Sequence, residues 1–288
     1  AALAAQARKE QSARLAAREK EAAALSARQE KYRYDIAVII GNRTYTDGTP
    51  EVEFAHNDAD QMKRFVIDHV GYRTGNIIDL RDTTKAQLEA VFGNNNSYKG
   101  KLNNWVRAHK SSVIVFYSGH GVPGLKDRRG YLLPVDADPN LVELNGYPVD
   151  TLYRNLNQIP AKSITVYLDA CFSGDSPRGM IIRATSGISV EARIPEQAGK
   201  LTILTAARGD QFASWDEKAK LGLFTRHLLD GLKGAADGKG YGNGDRRVTV
   251  SEVERYLSDE MTYQARRRYN REQNATVQGD PNRVLSVF

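Results

Sequence analysis

The sequence predicts an α/β fold: a mostly parallel six-stranded sheet with helices on both faces, preceded by an Ala-rich helix. Three observations carry that expectation. The runs DIAVIIGN (35–42), SVIVFYSGHG (112–121), SITVYLDA (163–170) and LTILTAA (201–207) are β-branched and nearly continuous in apolar character, as strands covered on both faces are. Amphipathic segments of helical period alternate with such runs, which is the pattern of a parallel sheet wrapped by crossover helices. Residues 1–33 stand apart in composition, with twelve Ala in the first thirty and no Gly or Pro.

Residues 1–33 read as a helix on propensity alone. Leu3, Leu15 and Leu25 keep no strict heptad, so the segment is a helical arm or linker, with self-association or partner binding as its functional reading. DIAVIIGN is the first buried strand. NDADQMKRFVIDHVG (57–71) puts Met62, Phe65, Val66 and His69 on one helix face and stops at Gly71. NIIDL (76–80) is a short strand. Thr84 and Gln87 form a capping-box pattern that opens a helix through Leu88, Val91 and Phe92, and another helix runs through Leu102, Trp105 and Val106. After the three later strands, helices are expected at 222–233 and, opened by Thr249 and Glu252, at 250–268; VLSVF closes the chain.

Composition narrows the function. No apolar run approaches the roughly 18 residues that span a bilayer, and the start AALAAQARKEQ, without Met or an apolar signal core, reads as a processed chain. One Cys excludes an internal disulfide framework and a Cys-rich zinc site, and it fits either redox compartment, which leaves localisation open. Of the net charge of +6, residues 1–33 hold eight Lys/Arg against four Glu, so the remainder is nearly balanced. The RRRYNR run (266–271) reads as a solvated helix face, and nucleic acid is not an expected partner.

Ligands of such a sheet meet the carboxyl ends of its strands. VIVFY delivers Ser118, Gly119, His120 and Gly121, and ITVYL delivers Asp169, Ala170, Cys171, Phe172, Ser173 and Gly174. Neighbouring parallel strands would bring His120 and Cys171 together although 51 residues separate them. Thiolate attack on a carbonyl needs a partner that lowers the thiol pKa from about 8.5 toward neutrality, and His is the usual one. Flanking glycines leave main-chain N–H groups free, so those of Gly121 and Cys171 are the candidate oxyanion hole, where one donor is worth about 3 to 4 kcal/mol of barrier. The plain alternative is that Cys171 is a small buried hydrophobe and His120 a turn residue.

SGHG and DACFSG resemble the His and Cys motifs of caspase-like cysteine peptidases, a group that includes caspases, metacaspases and bacterial relatives. The resemblance extends over residues 34–288, through YLLPVDA after the His motif and GLFTRHLLDGL of the smaller-subunit region. It implies a caspase fold, divided into a large-subunit-like part (34–175), a linker (176–200) and a small-subunit-like part (201–288), with a Cys/His dyad rather than a triad and a protein or peptide as substrate.

Caspases hold the Asp before the scissile bond with a Gln two residues ahead of the nucleophile and with two Arg, and this chain departs at each place. Asp169 stands two residues before Cys171. ASWD (213–216) resembles the Ser-Trp-Arg segment, with Asp216 in the position of Arg; the resemblance gives Ser214 main-chain contacts to the peptide and Trp215 an apolar wall. HNDAD brings Asp58 to the place of the other Arg, as the Asn-Asp of metacaspases does, although Asp58 is also well placed to cap its helix. Each unit-charge pair at about 4 Å and an effective dielectric near 20 is worth about 4 kcal/mol before desolvation. The expected specificity is therefore cleavage after a basic residue, Arg before Lys because a planar fork engages paired carboxylates.

The linker SPRGMIIRATSGISVEARIPEQAGK (176–200) makes Arg178, Arg183 and Arg193 candidate self-cleavage sites, against an uncut surface loop. DGKGYGNGDRRVTVSEVE (237–254) fails as an EF-hand in either register, because Lys239 or Val248 falls where a ligand, Gly or closing Glu is required. No cofactor and no metal site is expected, and calcium dependence has no support in these residues. Two rival readings remain: a catalytically silent scaffold binding partners through its N-terminal helix, and a serine hydrolase using Ser118 or Ser173, neither of which lies in a G-x-S-x-G elbow.

Overall fold

A computed structural model of the chain describes residues 2–46, 48–173, 175–176, 179–181, 200–209 and 211–288. In chain order, α1 (Ala2–Lys31) leads to β1 (Ile36–Gly41), α2 (Ala55–Arg64), β2 (Ile77–Arg81), α3 (Lys85–Phe92), α4 (Lys101–Trp105) and β3 (Ser112–Ser118). A small antiparallel set follows: β4 (Gly121–Pro123), β5 (Gly130–Leu132), α5 (Val142–Asn145), β6 (Tyr147–Pro148) and then α6 (Val149–Gln158). The chain continues through β7 (Ser163–Asp169), the pair β8 (Asp175–Ser176) and β9 (Gly179–Met180), β10 (Leu201–Thr205), the ribbon β11 (Trp215–Asp216) and β12 (Leu221–Gly222), and α7 (Leu223–Leu232). It ends with β13 (Arg247–Thr249), α8 (Val250–Tyr256), α9 (Thr262–Tyr269), β14 (Thr276–Gln278) and β15 (Val284–Val287).

Six strands form the main sheet in the order β14-β10-β7-β3-β1-β2, with β14 antiparallel and the rest parallel. Alternation along each strand sorts the core into two. Ile36, Val38 and Ile40 of β1, with Val113, Val115 and Tyr117 of β3, pack on one face with Leu88, Leu152 and Leu156 of the helices there. Ala37 and Ile39, with Ile114 and Phe116, pack on the other face against Met62, Phe65, Phe224 and Leu228. Period two thus makes every successive residue report which layer it faces.

Local signals explain the helix ends. The Thr84–Gln87 and Thr249–Glu252 capping boxes are both formed, each satisfying two orphan amides, and a cap of this kind contributes about 1 kcal/mol. α2 widens into a π turn over Phe65–Val70 and stops at Gly71, whose φ of 100° is the left-handed value glycine tolerates. The end of α1 rests on that turn, because a β carbon at Gly71 would lie 2.5 Å from Arg28 Cβ.

Four features depart from the reading of the sequence. The sixth strand is Thr276–Gln278, and the terminal VLSVF instead pairs with β13 in a separate ribbon. The helix α6 and the β4–β6 set fill the region between the His and Cys motifs; Val149, Leu152, Tyr153 and Leu156 of α6 are buried at helical spacing. The 250–268 helix is continuous but passes through a π turn at Leu257–Met261. The helix expected through Val106 stops at Trp105, which is 38% exposed beneath the ammonium of Lys101, and Val106 is already extended.

Candidate active site

Strand register decides which residues meet at the upper rim. Ser118 of β3 lies opposite Asp169 of β7, and the Gly119 N–H donates to the Asp169 carbonyl at 3.2 Å. Two residues beyond these partners stand His120 and Cys171. A β carbon at Gly121 would lie 2.6 Å from the Cys171 carbonyl oxygen, so the two motifs abut main chain to main chain. His120 and Cys171 line one cavity of about 20 Å³ with Asp58, Ser118, Asp169 and Trp215. That is room for about one water molecule.

His120 is held from three sides. Its Nε2 lies 2.7 Å from the Pro50 carbonyl oxygen, its main-chain N–H donates to the Tyr45 hydroxyl at 2.8 Å, and the Tyr45 ring packs on the imidazole at 4.8 Å. A carbonyl only accepts, so Nε2 carries the proton and Nδ1 is the basic nitrogen of the neutral ring. Burial pushes the imidazole down to about 4, against the opposing pull of the Pro50 carbonyl. The imidazole of His120 thus has a main-chain partner in the Pro50 carbonyl.

Cys171 is the lone thiol, partly buried, and its Sγ accepts the Ala213 N–H. Burial pushes the thiol up to about 12; the Ala213 amide opposes this and the charge of Asp169 adds to it. The cavity is therefore lined by a neutral thiol and a neutral imidazole, with one main-chain amide seated on the sulfur.

The acidic residues divide. Phe116 and Tyr167 face the α2/α7 layer, so two residues on, or two back from the motifs, Ser118 and Asp169 face it too. There Asp58, in the first turn of α2, accepts from the Ser118 hydroxyl at 2.8 Å and from the Gly222 N–H at 2.8 Å. Its carboxylate lines the cavity and makes no helix cap; α2 has no side-chain cap bond at Phe54. Asp169 Oδ2 accepts from the N–H and hydroxyl of Thr225, at 3.1 and 2.6 Å. Burial raises both carboxyls, and the charge of Asp169 raises Asp58 further.

Asp216 is placed elsewhere and does not line this cavity. Its carboxylate pairs with Arg226 of α7 and accepts the N–H groups of Lys218 and Ala219 at 3.1 and 3.0 Å. Burial works to raise it, but those amides and Arg226 outweigh burial and hold it below the usual range. Of the three expected carboxylates, Asp58 and Asp169 line the cavity and Asp216 does not, because β11 turns Asp216 toward α7, a contact invisible in a linear comparison. Ser214 is also engaged: its N–H donates to Gln273 Oε1 and its carbonyl accepts from Leu223 N–H, both at 2.8 Å. The peptide contacts expected of its main chain are occupied in this state. Trp215 lines the cavity, with its ring edge-on to Phe54 at 5.9 Å.

Several site residues escaped the sequence reading. Tyr45, Pro50, Ala213 and Gln273 act through main-chain groups or from outside any motif. Gly222 and Thr225 lie at the opening of GLFTRHLLDGL, where a Gly and a Thr among apolar neighbours were the available signal. Among the rival nucleophiles, the Ser118 hydroxyl is given to Asp58, and the Ser173 hydroxyl is buried without a partner among the described residues. Arg178, Arg183 and Arg193 lie outside the described residues. Asp237 closes the 237–254 loop by accepting the Gly244 and Arg246 N–H groups at 2.7 Å, and among the described residues no cluster of three His, Cys, Asp or Glu is placed to hold a metal. Nor is any described helix long and apolar enough to cross a membrane.

A six-stranded sheet with one antiparallel edge, carrying His and Cys motifs at adjacent carboxyl ends, is the architecture of the caspase-fold proteins. Residues 35–283 match the family model for the caspase domain of C14 peptidases, and the chain belongs to that family of cysteine peptidases. It is similar to metacaspase-7 of Arabidopsis thaliana, 28% identical over 195 residues, and to metacaspase-1 of Eremothecium gossypii, 26% identical over 194. Those stretches cover 64% and 62% of this chain and 42% of each relative, so the chain spans less than half the length of the curated relatives it matches. Among solved structures, caspase-1 of Spodoptera frugiperda superposes with a TM-score of 0.56 at 15% identity, covering 88% of this chain and 91% of that one. A protein of Geobacter sulfurreducens gives 0.56 at 16% identity, covering 86% and 94%. At such identities these two speak for the fold.

Proposed function

We propose that the protein is a cysteine endopeptidase that cleaves after a basic residue, Arg in preference to Lys. The observation that carries the reading is one cavity in which the thiol of Cys171 and the imidazole of His120 share walls with two buried carboxyls, Asp58 and Asp169. Nδ1 of His120, with Nε2–H fixed on the Pro50 carbonyl, takes the thiol proton as the sulfur attacks the peptide carbonyl. The N–H groups of Gly121 and Cys171 receive the oxyanion. The imidazolium returns its proton to the leaving amine, and a water activated by the same nitrogen hydrolyses the thioester. Thiol, imidazole and main-chain donors complete this chemistry without a cofactor.

The guanidinium of the substrate meets Asp58 and Asp169. An aspartate there would face two carboxylates of its own sign. Before that, the Ala213 segment must lift from Cys171, since the empty cavity has no room for a side chain. The same specificity directed at the 176–200 linker would produce self-cleavage after Arg178, Arg183 or Arg193.

Fluorogenic peptides ending in Arg, Lys or Asp, assayed with and without calcium, test the proposal. Turnover is expected for Arg, less for Lys and none for Asp, and Cys171→Ala should abolish it. Equal inactivity of wild type and Cys171→Ala on every peptide would leave the partner-binding scaffold standing. Mass spectrometry of the two chains after incubation reads out self-cleavage.

A further inference from the structure

The peptidase reading uses the carboxyl end of the sheet. At the opposite end, under the amino termini of β1, β3 and β7, lies a cleft that this reading leaves unused. A cavity of about 370 Å³ opens between the end of α1, those strand ends and β15. A second, of about 450 Å³, adjoins it and shares Ser112, Ser163, Arg283 and Val284 with the first. Five cations line the two, Arg28, Lys31 and Arg283 in the first and Lys162, Lys200 and again Arg283 in the second, against the carboxyls of Asp35 and Asp280. Two of the five come from the basic N-terminal helix and three from the nearly balanced body, so the local excess forms where α1 meets the sheet.

Arg283 is the centre of the excess. Its guanidinium donates to the Ile164 and Lys200 carbonyls and to the Thr165 and Thr202 hydroxyls, at 2.9 to 3.4 Å. All four acceptors are neutral, and among the described residues it makes no ion pair with a carboxylate. A guanidinium stays protonated when buried, so a positive charge sits beneath the sheet with four neutral hydrogen-bond acceptors and only the more distant charge of Asp280 to offset it. A buried charge with no carboxylate in direct contact favours an anion that joins it. A second donor points the same way: the Nε–H of Arg28 is buried without a hydrogen-bond partner among the described residues. Tyr32, Tyr72 and Tyr167 add phenol groups to the same wall.

We propose that this basal cleft binds a small oligophosphate anion, with Arg283 at its centre, Arg28 and Lys31 tying it to α1, and Lys162 and Lys200 receiving its far end. The first cavity falls within the roughly 300 to 1,000 Å³ of small-molecule sites. Guanidinium forks and ammonium groups are the donors phosphates select. One phosphate would occupy a small part of either cavity and could not reach both ends, so two or more phosphoryl groups are required. The source is an inorganic oligophosphate or a nucleoside triphosphate, the latter setting its ring against the tyrosines.

Isothermal titration of the full chain with inorganic tripolyphosphate, with ATP and with inorganic phosphate separates these. Tripolyphosphate is expected to bind one per chain and to raise the melting midpoint by roughly 5 °C at about 100 times its dissociation constant. Lys31→Glu combined with Lys162→Glu should weaken binding at least tenfold and leave the unliganded midpoint near wild type, which covers the case that Arg283→Met fails to fold. Cys171→Ala should bind as wild type does. ATP binding ten or more times tighter than tripolyphosphate assigns the site to a nucleotide; equal affinity assigns it to the phosphate chain. The proposal is overturned if the charge-reversed variant binds as tightly as wild type, if no titration gives saturable heat, or if sodium sulfate at equal ionic strength raises the midpoint as much.

Discussion

The carboxyls of Asp58 and Asp169 converge on a single glycine: a β carbon at Gly222 would lie 2.2 Å from Asp169 Oδ2 and 3.2 Å from Asp58 Oδ2. The two acids come from different layers of the molecule, one from α2 and one from the end of β7, and only the absence of a side chain at the head of α7 lets both reach the same space. Gly222→Ala should therefore close the acidic hole. We expect kcat/KM on an Arg peptide to fall by about a hundredfold, chiefly through KM, with a stability loss of about 1 to 3 kcal/mol for overpacking. A variant that keeps full activity on Arg peptides would remove the acidic hole from the mechanism.

Each carboxylate has its own measurable share. Asp169→Asn keeps an acceptor for Thr225 while deleting the charge, and should cost about 2 to 3 kcal/mol of transition-state binding for Arg, a fall of 30- to 150-fold in kcat/KM. Asp58→Asn should do the same through Ser118 and Gly222. Paired kinetics on Arg and citrulline peptides check the assignment, because only the charged substrate should lose rate.

The pocket carboxyls make ligand binding and stability respond to pH in opposite ways. Burial raises Asp169 to about 6, above its unfolded value near 3.8. The folded chain then holds a proton that the unfolded chain releases, so this contribution to stability falls as pH rises from about 4 to 6 and stays low above. Asp169→Asn should consequently gain up to about 2 to 3 kcal/mol over wild type at pH 7.5 and nothing at pH 3.5, by denaturant melts. A guanidinium ligand reverses the preference, so benzamidine affinity should rise as pH increases through about 6, with proton release seen by titration in buffers of different ionisation enthalpy. His120 works the other way: its folded pKa of about 4 lies below the unfolded value of 6.5, so its contribution is complete above 6.5 and declines as pH falls toward 4.

Tyr45 supports the imidazole through the His120 N–H and by ring contact. Tyr45→Phe keeps the ring and orphans a buried amide, a loss of about 1 to 3 kcal/mol. The predicted signature is a drop in kcat of about tenfold with KM unchanged; a change confined to KM would place Tyr45 in substrate binding instead.

The amide of Ala213 on Sγ predicts a slow thiol. With the thiol held at about 12, alkylation of Cys171 by iodoacetamide at pH 8 should run about a thousandfold below a free cysteine of pKa near 8.5. Gln273→Ala releases the Ser214 N–H and with it the 213–216 segment, and should raise the alkylation rate at least tenfold. Fast alkylation of the wild type, unchanged by Gln273→Ala, would show that the segment does not guard the sulfur.

Much of the molecule was legible in the residues. Continuous β-branched runs marked five strands of the sheet because parallel strands bury both faces, and the capping boxes at Thr84 and Thr249 marked two helices through local hydrogen bonds. Val149, Leu152, Tyr153 and Leu156 carried the period of α6 and could have been read; β14 could not, since a three-residue strand has too little pattern to distinguish it from loop. At the site, chain order alone brought His120 and Cys171 to strand ends, and alternation placed Ser118 and Asp169 on one face. What the residues could not express was which helix lies over that face. Asp58 and Asp216 are both acids beside the motifs, yet one enters the cavity and the other pairs with Arg226. Pro50, Ala213 and Gly222 contribute through a carbonyl, an amide and a missing side chain, none of which has a residue type to announce it. Periodicity and capping are properties of neighbours along the chain, so sequence determines them; the directions of Asp58 and Asp169 are set by partners 56 to 164 residues away, and even Asp216, held by Arg226 ten residues on, needs β11 and α7 packed together, so only the packed layers decide them.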